Sequence, residues 1–162
     1  MTRSSLKLLS HVTQKSFHVL ENICTSSGNS MRQCYKDVMY SVCMEQKLIS
    51  IANSVYEDVG PGYSESVYHR AFEVYLREQM IPYETERILP ITVHGHVIGS
   101  LRADLIVDKS CIIELKAVSK LSESAKMQTK NYIKLSGISR ALLINFPHES
   151  DVLVPQILRF GD

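Results

Sequence analysis

The sequence lacks the features that assign many chains to a class at once. It has only four cysteines among 162 residues and no C-x-x-C pair, which argues against a disulfide-rich secreted domain and against a common zinc motif. Its longest stretch without a charged residue, 88–101, is too short for the roughly 20-residue apolar helix that crosses a membrane. The net charge of +1 creates no overall positive field that would attract nucleic acid.

What is present is the composition of an ordinary globular domain, with 44% apolar and 22% charged residues. Residues 1–43 differ from the rest, because they are basic and serine-rich and contain no acidic residue before Glu21. This segment is predicted to be a disordered tail or a targeting sequence, and the folded domain is placed at 44–162. The cysteine usage indicates an intracellular protein. A targeting segment would take it to mitochondria, and without one it would be nuclear or cytoplasmic.

Hydrophobic periodicity predicts an α/β domain. Apolar residues at helical spacing run from Leu48 to a break at Gly60, and a second helix is expected at about 64–80, with Ser64 as its N-cap. Apolar runs predict strands at 88–93, 96–107, 111–117, 141–146 and 152–160, and a further helix is expected at about 122–136. Pro90 and Pro155 fall inside the first and last predicted strands, which indicates edge strands.

Asp104, Glu114 and Lys116 interrupt strands that are otherwise apolar. Glu114 and Lys116 are two residues apart, so their side chains share one face of the strand. If residues 108–110 form a hairpin loop, Asp104 lies opposite Glu114, with Cβ atoms about 4.5–5.5 Å apart. Two carboxylates at this separation favour a divalent cation such as Mg²⁺ between them, and Lys116 could orient a water or neutralise a phosphate. The alternative is a solvated face that carries a Glu–Lys pair and a cross-strand aspartate.

Polar side chains on two predicted helices extend this constellation. Glu65 lies on the apolar side of the second helix, in its first turn, where it could supply a further metal ligand or a base. An acid favoured by the helix dipole is the alternative for this position. Gln128 and Tyr132 lie on the apolar face of the third helix, and a polar group that faces a core needs partners. Both are therefore candidates for supporting the site.

A stripe of lysines follows another flank of the third predicted helix. Lys126, Lys130 and Lys134 are spaced by one helical turn each. The stripe would contact the phosphates of a nucleic acid, or it is simply a solvated helix face.

Two transition-metal hypotheses are weaker. His94 and His96 could chelate a metal, but with Gly95 between them they are more typical of a turn that exposes both histidines. Cys24, Cys34 and Cys43 have no histidine clustered near them, which argues against a zinc site.

The spacing of Gly62, Glu65 and Tyr68 resembles the signature of the GxxExxY protein family, a branch of the PD-(D/E)XK nuclease superfamily. The resemblance covers about 48–160 and includes Asp104, the Glu114-Leu115-Lys116 motif and the Gln128-x-x-x-Tyr132 motif. It implies a restriction-endonuclease-like α/β core, in which a central mixed β-sheet is flanked by helices, and hydrolysis of phosphodiester bonds with a divalent metal.

We therefore expect a nuclease that uses Mg²⁺ or Mn²⁺ and acts on nucleic acid, with DNA favoured over RNA. The metal would be held by Asp104, Glu114, the carbonyl oxygen of Leu115 and Glu65, while Lys116 would position the water. The alternatives are a non-catalytic nucleic-acid-binding or adaptor module that keeps this fold, and a transition-metal protein. No membrane partner is expected. A homodimer is suggested, because so small a domain offers limited surface to grip a duplex.

Overall fold

The structure is a computed structural model that describes residues 31–148 and 155–161. Its elements are, in chain order, α1 (Met31–Val59), α2 (Glu65–Glu78), β1 (Tyr83–Val93), β2 (His96–Val107), β3 (Cys111–Lys116), α3 (Glu123–Ser136), β4 (Arg140–Asn145) and β5 (Gln156–Gly161). The described strands form one sheet in the order β1-β2-β3-β4-β5. Only β3 and β4 are parallel; the other pairs are antiparallel. This is the predicted α/β architecture, a mixed sheet with flanking helices.

Helix α1 begins well before the predicted start of the domain at Met44. Residues 31–43 belong to the stretch that was predicted to be a tail or a targeting segment, and they are helical. Met39, Tyr40 and Val42 in this part of the helix are exposed. The rest of the predicted segment, 1–30, lies outside the described residues.

The chain divides into two compact units between Met44 and Glu45. In the first unit the structure describes residues 31–44, which are helical. The second unit contains the remainder of α1, the other helices and the sheet. Among the described residues, no helix has an apolar stretch that is long enough to cross a membrane.

The loop between α1 and α2 depends on two glycines and a buried tyrosine. Gly60 and Gly62 have φ values of 76° and 92°, in the left-handed region where a side chain is strained. The hydroxyl of Tyr68 donates to the Gly60 carbonyl oxygen at 2.8 Å and accepts a hydrogen bond from the Tyr63 N–H at 3.4 Å. The predicted helix break is confirmed, and α2 begins immediately after the expected cap residue, Ser64.

Alternation along the strands divides the core into two layers. On one face, Tyr132 of α3 packs with residues of four strands: Leu89, Ala103, Ile106, Ile112 and Ala141. On the other, Phe146, which directly follows β4, stacks on Tyr68 of α2 with 4.4 Å between the ring centroids and contacts Tyr56 of α1. Because successive side chains along a strand point to opposite faces, α3 covers one side of the sheet, and α2 with the part of α1 that follows Met44 covers the other.

The two outer strands differ in extent from the sequence prediction. β1 begins at Tyr83 rather than at 88. Its first residues were not predicted as a strand because charged residues at 84, 86 and 87 interrupt the alternation of apolar and polar side chains. β5 begins at Gln156, so Pro155 precedes the strand instead of lying inside it. Residues 149–154, which include the predicted start of this strand, lie outside the described part of the chain. Both strands are edge strands, as predicted.

Replacing Phe146 should test the packing of α2 on the sheet. The ring is fully buried, and Phe146→Ala should lower the free energy of unfolding by about 3–5 kcal/mol, because it removes the stacked contact with Tyr68 and leaves a cavity. Urea unfolding followed by circular dichroism measures this change. Met127→Ala, at a side chain that is 57% exposed on α3, is the control and should change stability by no more than about 0.5 kcal/mol. A loss as small as the control's would show that the stacking contributes little.

Candidate active site

The hairpin of β2 and β3 places Asp104 beside Glu114 and Leu115. Val107 pairs with Cys111, and the connecting loop is residues 108–110, as predicted. The backbone ladder ends at the pair Leu105 and Ile113. One position further along β2, the Asp104 carboxylate accepts a hydrogen bond from the Leu115 N–H at 2.7 Å. Its side chain thus takes the place of the next backbone partner and is held at the end of β3.

Lys116 lies among three of the groups that were expected to hold a metal. Its ammonium donates to Glu114 Oε1 at 2.7 Å and to the Leu115 carbonyl oxygen at 2.9 Å, and it lies 3.5 Å from Glu65 Oε2. Glu65 comes from the first turn of α2, whereas the other groups belong to β3. The structure therefore brings together Asp104, Glu114, Leu115 and Glu65, and the positive charge among them is Lys116.

Burial perturbs both charges of the Glu114–Lys116 pair. Glu114 is 1% exposed, and this burial, together with the nearby charge of Asp104, raises its pKa to about 7 despite the opposing effect of Lys116. Burial disfavours the ammonium form of Lys116, but the hydrogen bond and charge of Glu114 outweigh it and raise the Lys116 pKa. Glu114 Oε2 is buried without a hydrogen-bond partner. An ionised carboxylate with one free buried oxygen is suited to accepting a cation.

Gln128 and Tyr132 support the same site from α3. Gln128 Nε2 donates to the Tyr132 hydroxyl at 2.6 Å, and that hydroxyl donates to the Arg102 carbonyl oxygen at 2.8 Å. Burial and the nearby Glu114 carboxylate raise the pKa of Tyr132, so its proton is retained at neutral pH. The pair therefore fixes α3 to β2 and provides a polar wall beside Glu114.

The residues of the G-x-x-E-x-x-Y pattern also meet at this site. Gly62 and Tyr68 shape the loop that precedes α2, and Glu65 is the first residue of that helix. The rigid loop thus determines where Glu65 projects, and its side chain, which is 45% exposed, reaches Lys116. The pattern acts as one structural unit with a carboxylate at the site.

The lysine stripe makes contacts away from the carboxylates. Lys126 forms an ion pair with Glu123 at 2.6 Å, and the Lys130 ammonium lies 6.0 Å from the centre of the Phe160 ring on β5. Lys134 is exposed in the last turn of α3. The stripe is a solvent-accessible basic surface, which both of the interpretations given above would allow.

Asn145 is a structural residue of the site that sequence reasoning missed. It is fully buried at the end of β4, where its side chain accepts from the Val118 N–H at 3.0 Å and donates to the Val118 carbonyl oxygen at 2.8 Å. The Phe146 N–H donates to the Lys116 carbonyl oxygen at 2.8 Å. These bonds hold the backbone that leaves β3 after Lys116. The available signal was a single asparagine in the otherwise apolar run 141–146.

The donor set fits a hard divalent cation. In the described ranges 31–148 and 155–161, no three His, Cys, Asp or Glu side chains lie close enough together to form a complete metal cluster. The oxygens of Asp104, Glu114 and Leu115 nevertheless converge at one strand end, and the orphaned Glu114 Oε2 is available as a ligand. Mg²⁺ and Mn²⁺ prefer such oxygen donors and complete their shells with water. His94 and His96 are exposed at the β1–β2 turn, as the turn interpretation expected.

The model of the PD-(D/E)XK nuclease superfamily matches residues 42–157. The chain therefore belongs to the PD-(D/E)XK nuclease superfamily, and its sheet with flanking helices is a restriction-endonuclease-like core.

The solved structures that are similar to the chain include the following two. The crystal structure of SSO0001 is 25% identical with a TM-score of 0.45, and the match covers 60% of this chain and 49% of that one. An alkaline exonuclease from Laribacter hongkongensis is 14% identical with a TM-score of 0.46, and the match covers 60% of this chain and 56% of that one. The matched region thus spans about half the length of each of these proteins. A comparison with curated proteins gives no match.

The pH dependence of unfolding should report the burial of Glu114. Its pKa of about 7 in the folded protein lies above the ordinary 4.5, so folding favours the protonated form. The stability that this adds to the metal-free protein is present in full below about pH 4.5 and is lost as the pH rises through about 7. Glu114→Gln should remove this loss.

Urea unfolding at a series of pH values, in the presence of a chelator, measures the effect as the difference between variant and unmodified protein. Glu57→Gln, at an exposed position on α1, is the matched control and should reproduce the unmodified profile. A Glu114→Gln profile parallel to that of the unmodified protein would contradict the burial of a titrating carboxyl group at this site.

Proposed function

We propose that this protein is a Mg²⁺- or Mn²⁺-dependent nuclease that hydrolyses phosphodiester bonds, with DNA preferred to RNA. The observation that carries the proposal is the convergence of Asp104, Glu114, the Leu115 carbonyl oxygen and Glu65 around Lys116 at the end of β3. Asp104, Glu114 and Leu115 would hold the metal, with Glu65 completing its shell. A bound metal supplies Lewis-acid stabilisation of the phosphate and lowers the pKa of a water.

The chain's own residues orient the reaction. Lys116 has an ammonium that donates up to three hydrogen bonds, so it positions the attacking water or stabilises the charge that develops on the phosphate. Asn145 and the Phe146 N–H hold the backbone that leaves β3 directly after Lys116, which limits the movement of this residue. Tyr132 remains protonated and hydrogen-bonded to Arg102, so it supports the wall beside Glu114 and does not take up the proton of the water.

Finer assignments belong to the same proposal. Gly62, Glu65 and Tyr68 support placement in the GxxExxY branch of the superfamily. For residues 1–43 we propose a role outside the nuclease domain, with targeting to mitochondria as the specific hypothesis. An intracellular location in the nucleus or cytoplasm is the alternative.

Asp104→Asn should abolish cleavage while the fold is retained. An amide oxygen can still accept from the Leu115 N–H, but the loss of charge removes a metal ligand. The metal-free variant should be at least as stable as the unmodified protein, because repulsion with Glu114 is relieved. Cleavage of labelled single-stranded, duplex, flapped and branched DNA and RNA, together with calorimetric titration of Mn²⁺, measures the effect.

Asp108→Asn is the matched control, since it makes the same chemical change in the loop at the other end of β3. It should keep both cleavage and Mn²⁺ binding. Full activity in Asp104→Asn would refute the proposed site. If the unmodified protein cleaved none of these substrates, the non-catalytic adaptor would be the better explanation.

Lys130→Glu tests whether the lysine stripe contacts nucleic acid. A lysine that neutralises one phosphate contributes through counterion release, so its loss should weaken binding and reduce the slope of log affinity against log salt by about one. Stability should fall by no more than about 1 kcal/mol, the value of an exposed cation–π contact such as that with Phe160. Cleavage at saturating substrate should persist, because Lys130 has no place at the proposed metal site.

Fluorescence anisotropy over a range of salt concentrations gives the slope. Lys109→Glu, an exposed lysine in the loop between β2 and β3, changes the net charge equally and should leave the slope unaltered. Equal slopes for Lys130→Glu and the unmodified protein would make the stripe a solvated helix face.

A further inference from the structure

The β1–β2 hairpin extends beyond the rest of the sheet as a two-stranded ribbon, residues 88–101. β2 pairs with β1 along almost its full length, but β3 pairs only with Leu105, Ile106 and Val107. Beyond this ladder, side chains take the place of backbone pairing at two positions of β2. The Asp104 carboxylate accepts from the Leu115 N–H, and the Arg102 carbonyl oxygen accepts from the Tyr132 hydroxyl. Within the described residues, no strand pairs with the inner edge of β2 over 96–101.

The ribbon carries the most exposed branched apolar side chains that the structure describes. Ile88, Val97 and Ile98 are each 66–67% exposed, and Val93 is 48% exposed. No residue from 88 to 101 is charged. Leu89 and Leu101 pack into the core under α3, but the apolar side chains exposed beyond them on an unpaired strand edge are typical of an association site. The ribbon is therefore expected to have a partner.

The two edges of the ribbon differ in their protection against pairing. The outer edge of β1 contains Pro90, which cannot donate a backbone hydrogen bond, and is preceded by charged residues at 84, 86 and 87. These are features by which natural edge strands avoid association. The free edge of β2 over 96–101 has neither proline nor charge, and its one irregularity is a shift of register against β1 between Val97 and Gly99. Proline and charge thus oppose pairing at one edge of the hairpin and are absent from the other.

We propose that the free edge of β2 is a dimer interface, at which two copies of this chain pair β2 with β2 in antiparallel orientation. Two strands related by a twofold axis in this way present the same residues to each other. In such an interface, a charged residue on one copy would lie close to the same charge on the other copy. The stretch 96–101 contains no charged residue, so this repulsion is absent. The same lack of charge disfavours a phosphate backbone as the occupant. Pairing would turn two ribbons into one four-stranded sheet and cover Val97 and Ile98.

The test is sedimentation velocity on the full chain over a wide range of protein concentration. The unmodified protein should form a dimer, and Ile98→Lys should raise its dissociation constant by about tenfold or more, because each dimer loses apolar cross-strand contacts and gains two like charges. Ile88→Lys is the matched control, because that side chain is equally exposed but lies on β1. It should leave the dissociation constant unchanged.

Hydrogen exchange followed by mass spectrometry locates the contact. Exchange of the amides of 96–101 should slow as the unmodified protein is concentrated, and it should not slow in Ile98→Lys. Circular dichroism melting confirms that both variants are folded. A protein that stays monomeric, a dimer that withstands Ile98→Lys, or equal weakening by both lysine variants would overturn the proposal. Slow exchange of these amides in a monomer would also overturn it, since another part of the chain would then cover the edge.

Discussion

The arrangement of the site depends on placing a carboxylate inside the sheet and keeping it compensated. Glu114 occupies a position where β3 otherwise buries aliphatic side chains, and an isolated charge there would be strongly unfavourable. Lys116 compensates it from the same face two residues later, and the Asp104 carboxylate is held at the strand end because it accepts from the Leu115 N–H. A bound cation would supply the same compensation. A metal-loaded form would therefore meet the same electrostatic requirement with a different positive group.

Much of this site could be predicted from the sequence because its central part is local. The register of the β2–β3 hairpin follows from a short loop and an even separation between Asp104 and Glu114, and the structure has that register. Glu65 stood out because a carboxylate interrupted the apolar side of a helix. In each case the signal was a polar residue at a position where the apolar periodicity predicts a buried aliphatic side chain.

The rest could not be predicted because it depends on contacts between distant segments. The bonds from Asn145 to Val118 and from Tyr132 to Arg102 join residues 27 and 30 positions apart, and no local pattern encodes which backbone groups they meet. The same holds for the distance between Lys116 and Glu65, which follows from how α2 docks. Helix α1 also begins before the predicted start of the domain, in a stretch where Met39, Tyr40 and Val42 are exposed.

The hydrogen bonds of the site close chain loops of very different length. Asp104 and Leu115 are separated by 11 positions, whereas Lys116 and Glu65 are separated by 51. The entropic cost of closing a loop increases with its length, and contacts distant in sequence form more slowly. During folding, the β2–β3 hairpin with its aspartate, glutamate and lysine can therefore form as a nearly complete unit. The carboxylate of α2 joins afterwards, when the helix docks, so the last acidic side chain of the site arrives together with the native tertiary structure.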